Sequence, residues 1–121
     1  MPPTTLLIYR EANGEVPLFD WMDGIPPKVR VKCRLRLERL RSLGYELRRP
    51  EADLLQDGIY ELRIGHQGAH YRILYFFHSN VAVVVTGGCT KERAVPKIEI
   101  DRAIHRRASF ERNPEQHSED F

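Results

Sequence analysis

The chain has 121 residues, of which 41% are hydrophobic and 30% are charged, a balance typical of one soluble globular domain with a single core. No run of about 18 apolar residues occurs, which excludes a transmembrane helix, and the N-terminal Met-Pro-Pro-Thr-Thr-Leu lacks the basic region of a secretory signal. The two cysteines, Cys33 and Cys89, lie far apart and form no CxxC pair. These features predict a reducing, cytoplasmic location without a membrane anchor.

The formal net charge is only +2, but the positive charge is concentrated in one segment. Residues 26–50 carry nine lysines and arginines against two glutamates, a local charge of +7 that leaves −5 for the rest of the chain. Such a segment indicates a polyanionic or acidic protein partner. A solvated helix face with no partner is an equally open interpretation.

The N-terminal half predicts one strand followed by two helices. Thr4 to Arg10 is apolar and β-prone, and Val16 to Asp23 has the pattern of a short helix with a proline in its first turn. A longer amphipathic helix is expected from Pro26-Pro27 to about Leu43, where Gly44 ends it. Tyr45 to Gln56 reads as an irregular connector. The apolar stripe of the longer helix consists of Val29, Cys33, Leu37 and Leu40.

Ile59 to Phe77 predicts a β-hairpin, because two strand-like runs flank a short connector that contains Gly65 and Gly68. Side chains alternate across a strand, so one face of the hairpin is apolar and packs on the helices. The opposite face carries the polar side chains Glu61, Arg63, His70 and Arg72. Guanidinium and imidazole groups therefore emerge from strands rather than from loops.

The C-terminal part predicts a central strand and a short helix. Val81 to Thr86 lacks alternation, which indicates burial on both faces, and Gly87-Gly88 is expected to break the strand. A helix from Lys97 to about Arg107 follows, and Ser109 to Phe121 is a polar tail that we expect to be disordered. The order of elements predicts an α+β domain over residues 1–108: a small antiparallel sheet with two N-terminal helices packed on one face and a short C-terminal helix.

Four sequence blocks of the chain are each weak signals of a protein family, but their order and spacing together are a specific one. They are Leu54 to Arg63, Tyr71 to Tyr75, Lys91 to Arg93 and Pro96 to Ala103, with the valine strand between the second and the third. Together they resemble the RelE/ParE toxin superfamily and, within it, the HigB-like, phage-derived branch. The resemblance implies a RelE-like fold and a toxin of a type II toxin–antitoxin system.

RelE- and HigB-type members cut mRNA on the ribosome, so the resemblance implies a ribosome-dependent mRNA endoribonuclease, or mRNA interferase, that inhibits translation. This reaction uses the 2′-hydroxyl of the RNA as nucleophile and needs neither a metal nor another cofactor. A guanidinium suits it, because its planar fork matches phosphate oxygens and stays charged. The implied partners are the ribosome, mRNA and a cognate antitoxin, expected to be of the helix-turn-helix type and encoded adjacently; no membrane is implied.

The resemblance implies a role for each residue of this chain that matches a functional position of the family. Arg72 matches the strand arginine expected to stabilise the phosphate, and the proposed catalytic set is completed by Arg63, Lys91 and Lys97. The residues expected to contact RNA or the ribosome are Arg93, His70, Arg34 and Arg41. No metal site is predicted, because His66 and His70 have no third ligand in a suitable context.

Three alternatives remain open at this level. ParE members of the superfamily inhibit DNA gyrase without cutting nucleic acid, and fold alone does not choose between the two activities. The chain could also be a catalytically decayed toxin that only binds its antitoxin. Finally, Arg72 could form a cross-strand ion pair with Glu61, a structural contact of about 0.2–1 kcal/mol.

Overall fold

The computed structural model describes residues 5–79, 82–90 and 94–121. The strands are β1 (Thr5–Tyr9), β2 (Ala52–Gln56), β3 (Ile59–His66), β4 (Ala69–His78), β5 (Ala82–Thr90) and β6 (Ser118–Asp120). The helices are α1 (Pro17–Asp23), α2 (Pro27–Leu43) and α3 (Lys97–Arg112), and a single 3₁₀ turn at Gly44–Glu46 follows α2. Among these helices, none has the length and apolar character needed to cross a bilayer.

The strands form one six-stranded sheet in the order β2-β3-β4-β5-β1-β6. All neighbouring strands are antiparallel except β1 and β5, which run parallel with Leu6 opposite Val83. The predicted α+β class, the hairpin and the buried valine strand are confirmed, and Val83, Val84 and Val85 are each 0% exposed. The chain therefore has the RelE-like arrangement that the sequence predicted.

Helices cover both faces of the sheet. Leu62, Ile64 and Ile73 pack in the same apolar cluster as the buried stripe of α2 and the buried residues of α1. On the opposite face, Leu74 and Phe76 pack with the buried residues of α3. This division follows from the period of two along a strand, which sends successive side chains to opposite layers. Helix α3 therefore covers part of the face that carries Glu61, Arg63 and Arg72.

The long helix α2 forms as the sequence predicted. Pro27 occupies its first turn, where a missing N–H is tolerated, and Gly44 ends it with φ of 53°, a left-handed conformation that glycine adopts without strain. The apolar stripe is fully buried. Burial also raises the pKa of the Cys33 thiol to about 11, so this cysteine stays a neutral core side chain.

The sequence missed two short edge strands and the length of α3. The segment read as a connector contains β2, which pairs with β3. Helix α3 continues to Arg112 rather than ending near Arg107. Residues 109–121 also differ from the expected tail: Phe110 is fully buried, and β6 pairs with β1. The ring of His117 stacks on Tyr9 with 5.3 Å between centroids, a tertiary contact with no local sequence signature.

Gly87-Gly88 does not break β5, contrary to the sequence prediction. The strand continues through both glycines to Thr90, with a register shift beside them at Leu74/Tyr75. A Cβ at Gly88 would lie 2.3 Å from the Trp21 ring, and one at Gly87 would lie 2.7 Å from Arg106 Nη1. The glycines therefore let one bulky side chain approach each face of the sheet.

We expect Gly88→Ala to lower the free energy of unfolding by about 1–3 kcal/mol, because the new methyl group overpacks against Trp21. Chemical denaturation measures the effect. Gly65→Ala is the matched control, since a Cβ there meets nothing within 4 Å, and it should cost no more than about 0.5 kcal/mol. In a Trp21→Leu background the penalty of Gly88→Ala should shrink; an unchanged penalty would contradict the clash.

Candidate functional site

Two arginines face each other across the β3–β4 hairpin. Arg63 and Arg72 are directly opposite in the register, so their side chains leave the same face of the sheet. The Arg63 side chain is 39% exposed and that of Arg72 only 11%. The pair thus combines one guanidinium at the surface with one set deeper, both on rigid, hydrogen-bonded strands.

Glu61 joins the two guanidinium groups. It lies two residues before Arg63 on the same face of β3, and its side chain is 5% exposed. Its Oε1 is 2.6 Å from Arg72 Nε, and its Oε2 is 3.0 Å from Arg63 Nη2. A carboxylate is rarely buried unless it is paired, and Glu61 is paired with both arginines: it accepts a hydrogen bond of 3.1 Å from Arg63 Nε and makes an ion-pair contact with Arg72. The cross-strand ion pair considered from the sequence is therefore present, and it extends to Arg63.

A second carboxylate comes from β2. Asp53 Oδ2 lies 2.8 Å from Arg49 Nη2 and 3.5 Å from Arg63 Nη2. The hydrogen bond from Arg49 lowers the pKa of Asp53 and keeps it ionised. Three arginines and two carboxylates give this cluster a net charge of +1. Asp53 was not predicted as part of the site, because its strand was interpreted as an irregular connector. Glu61 was predictable, because it lies two residues from Arg63 and therefore on the same face of the strand.

His70 lies near the arginine pair along the chain, and Lys97 lies on the same side of the sheet. His70 is exposed on β4, two residues before Arg72 and on the same face. Val95 and Ile100 pack in the same cluster as Cys89, the register partner of Arg72, which brings the start of α3 to this side. Lys97 is 79% exposed and pairs with Asp101 at 3.3 Å, a contact typical of a first-turn surface residue.

Other predicted residues lie elsewhere. Arg34 and Arg41 are on α2, which packs against the opposite face of the sheet, so the structure does not bring them to the arginine pair. Arg41 instead pairs with Glu38 at 3.4 Å and lies 5.6 Å from the centre of the Phe121 ring. Lys91 and Arg93 lie outside the described residues.

The two histidines of the hairpin do not act together. His66 points to the α2 side, where its Nδ1 is 3.1 Å from Lys32 Nζ, whereas His70 is on the opposite face. Over residues 5–79, 82–90 and 94–121, no three His, Cys, Asp or Glu residues are grouped to hold a metal ion. Trp21 packs on Gly88 and against the core.

Glu51 should make stability depend on pH. Its Oε1 accepts a hydrogen bond of 2.8 Å from Arg39 Nη2, and Arg36 Nη1 lies 3.0 Å from its Oε2. The Arg39 hydrogen bond holds the pKa of Glu51 below its ordinary 4.5. A lowered pKa in the folded state stabilises the fold above the unfolded pKa, and this stabilisation is lost as pH falls through the folded value.

We therefore expect Glu51→Gln to be less stable than the wild type at neutral pH and to converge with it in strong acid. Thermal melts at several pH values between about 7 and 3 would show this. Glu111→Gln, a change at an exposed position of α3, is the control and should follow the wild-type curve. A constant difference between Glu51→Gln and the wild type at all pH values would contradict the prediction.

The chain resembles a known protein family over most of its length. Residues 20–108, well over half of the chain, match the family described as Phage derived protein Gp49-like (DUF891). No curated protein is similar enough to the chain to count as a relative. The matched range includes α2, the hairpin with its two arginines, β5 and most of α3. The chain therefore belongs to the phage-derived Gp49-like family, a branch of the RelE/ParE-like toxin superfamily of toxin–antitoxin toxins.

Proposed function

We propose that the chain is the toxin of a type II toxin–antitoxin system and cuts mRNA on cytoplasmic ribosomes, in the manner of the HigB-like branch. The observation that carries this proposal is the guanidinium pair Arg63 and Arg72, which lie opposite each other on two strands and are both paired with the buried Glu61. A preorganised pair of this kind suits the charge that develops on a phosphate during transfer.

In the proposed reaction, a 2′-hydroxyl of the mRNA attacks the adjacent phosphorus. The bond from phosphorus to the 5′-oxygen breaks, giving a 2′,3′-cyclic phosphate and a 5′-hydroxyl. One proton leaves the 2′-hydroxyl and one reaches the 5′-oxygen, so no redox partner is needed. Charge builds up on the phosphate oxygens, where Arg63 at the surface and Arg72 behind it would stabilise it.

The net charge of the cluster limits how strongly it attracts RNA. Glu61 and Asp53 offset two of the three local positive charges, so the site attracts RNA only weakly by itself. Binding is then expected to come from the ribosome, which holds the mRNA in place and raises the effective concentration of the reacting phosphate. Lys91, Arg93, Lys97 and His70 remain proposed contributors of charge or RNA contact around the arginine pair.

A toxin that does not cut RNA is the second candidate. The observation that favours it is the same carboxylate, because Glu61 engages both guanidinium groups and could make the cluster purely structural. Inhibition of DNA gyrase on this fold would need a binding surface but no phosphate site. A toxin that only binds its antitoxin would need neither a phosphate site nor a surface for gyrase.

Mapping of mRNA 5′ ends in a translating extract tests the proposal. We expect the wild type to give new 5′-hydroxyl ends only when ribosomes are present, and Arg72→Ala to give none. Arg102→Ala, a change at an exposed residue of α3 that pairs with Glu99, should cut like the wild type. Intact mRNA together with arrested plasmid supercoiling would instead identify a gyrase inhibitor.

A further inference from the structure

The outer surface of α2 exposes two large aliphatic side chains among its cations. Val31 is 56% exposed and Leu35 is 62% exposed. They are four residues apart and therefore neighbours on one face of the helix. Lys28, Lys32 and Arg34 surround them and belong to the segment with a local charge of +7. Isolated exposed leucines are common, but an aliphatic pair framed by charge is typical of an interface.

A groove next to this pair gives the surface a shape. It lies between α2 and the end of β3, encloses about 350 Å³ and is lined by Lys32, Leu35, Arg36, Arg39, Ile64 and Gly65. Leu35 and Ile64 supply its apolar wall, and the three cations form its rim. The Lys32 ammonium donates to the Gly65 carbonyl at 3.2 Å and so stays at the edge of the groove.

The charge balance around the groove stays positive. Arg36 and Arg39 share the single carboxylate of Glu51, which leaves one excess positive charge, and Lys32 adds another. An occupant with carboxylates at its margins would complement this rim, and aliphatic side chains at its centre would cover the exposed Leu35. The groove is therefore suited to a segment that is both acidic and amphipathic.

RNA fits this surface less well than protein does. Phosphate contacts require cations but gain nothing from Val31 and Leu35, which would stay in contact with water or face a charged backbone. The surface also lies on the other side of the sheet from Arg63 and Arg72. A protein bound here would leave the arginine pair accessible, so binding and RNA cleavage use separate surfaces.

We propose that the outer surface of α2 receives an acidic, leucine-containing amphipathic segment of the antitoxin. This inference rests on the toxin–antitoxin role of the chain and not on its nuclease activity. The leucines of that segment cover Val31 and Leu35 and enter the groove, and its carboxylates meet Lys28, Lys32 and Arg34. Arg34, assigned to the ribosome from the sequence, then serves antitoxin binding.

Fluorescence anisotropy with synthetic peptides tests the proposal without ribosomes. The probe is a fluorescein-labelled helical peptide with leucines spaced three and four residues apart and glutamates elsewhere. One control peptide replaces every leucine by serine, and another replaces every glutamate by lysine. We expect only the acidic peptide with leucines to bind, and the antitoxin from the neighbouring reading frame to displace it.

Two matched variants locate the binding site. Leu35→Gln should weaken the peptide about ten- to hundredfold, the effect of losing one buried leucine side chain. Ile98→Gln should leave binding unchanged, since Ile98 is equally exposed at 63% but lies on α3. Thermal melts of both variants check that the fold is retained.

Several outcomes would overturn the proposal. They are equal binding of the serine control peptide, no effect of Leu35→Gln, and an antitoxin that binds without displacing the peptide. The surface would instead be assigned to RNA by two results together. A labelled oligouridylate would compete with the peptide, and binding of that oligouridylate would be lost in Lys32→Ala but not in Leu35→Gln. Loss of mRNA cleavage would not alter any of these binding results, so the two proposals fail independently.

Discussion

Glu61→Ala should lower the free energy of unfolding by about 3–5 kcal/mol, the usual result of removing one partner from a buried ion pair. The Arg72 side chain is 11% exposed, and the substitution would take from it a carboxylate at 2.6 Å. The Arg63 side chain suffers less, because it is 39% exposed and also contacts Asp53. The effect should therefore act chiefly through Arg72, and chemical denaturation measures it.

A double substitution separates this mechanism from simple loss of packing. Glu61→Leu combined with Arg72→Met removes both charges and roughly keeps the volume, a replacement that is often neutral or stabilising. We expect the double variant to be more stable than either single variant. Glu99→Ala is the control for an ordinary surface pair with Arg102, worth at most about 1 kcal/mol. A double variant as unstable as Glu61→Ala would show that the ion pair is not the cause.

Local pattern sufficed for the elements whose residues repeat regularly. The stripe of α2 and the alternation of the hairpin each identify an element and its buried face, because period and burial are linked. The same alternation placed Glu61, Arg63 and Arg72 on one face. It did not reveal that α3 covers part of that face, since the side of a sheet on which a helix docks is set by tertiary packing.

The features that the sequence missed depend on contacts between distant residues. β6 is three residues long and is held by pairing with β1 and by the stack of His117 on Tyr9. Gly87-Gly88 is typical of a break in a strand, but in the structure the two glycines leave room for Trp21 and Arg106. The arginine pair was predictable from spacing, but the contribution of Asp53 was not, because it required β2 to be recognised.

Arg72→Lys should reduce mRNA cleavage more than Arg63→Lys does, and this asymmetry is the sharpest test of the proposed phosphate site. A lysine at position 72 keeps the positive charge but replaces the planar fork by one ammonium, which Glu61 would draw to itself. Loss of a preorganised donor of this kind costs about 100-fold in rate. At position 63, a lysine at the surface still reaches the phosphate as a point charge, so about a tenfold loss is expected.

Single-turnover cleavage on programmed ribosomes measures both variants, with Arg102→Lys as a control that should cut at the wild-type rate. Thermal melts are required alongside, because the Glu61 cluster also stabilises the fold. If both arginine variants stay folded and cut normally, the guanidinium pair is a structural ion-pair cluster and the second candidate function gains support. If Arg72→Lys stays folded and loses cleavage while Arg63→Lys retains part of it, then the deeper guanidinium stabilises the phosphate.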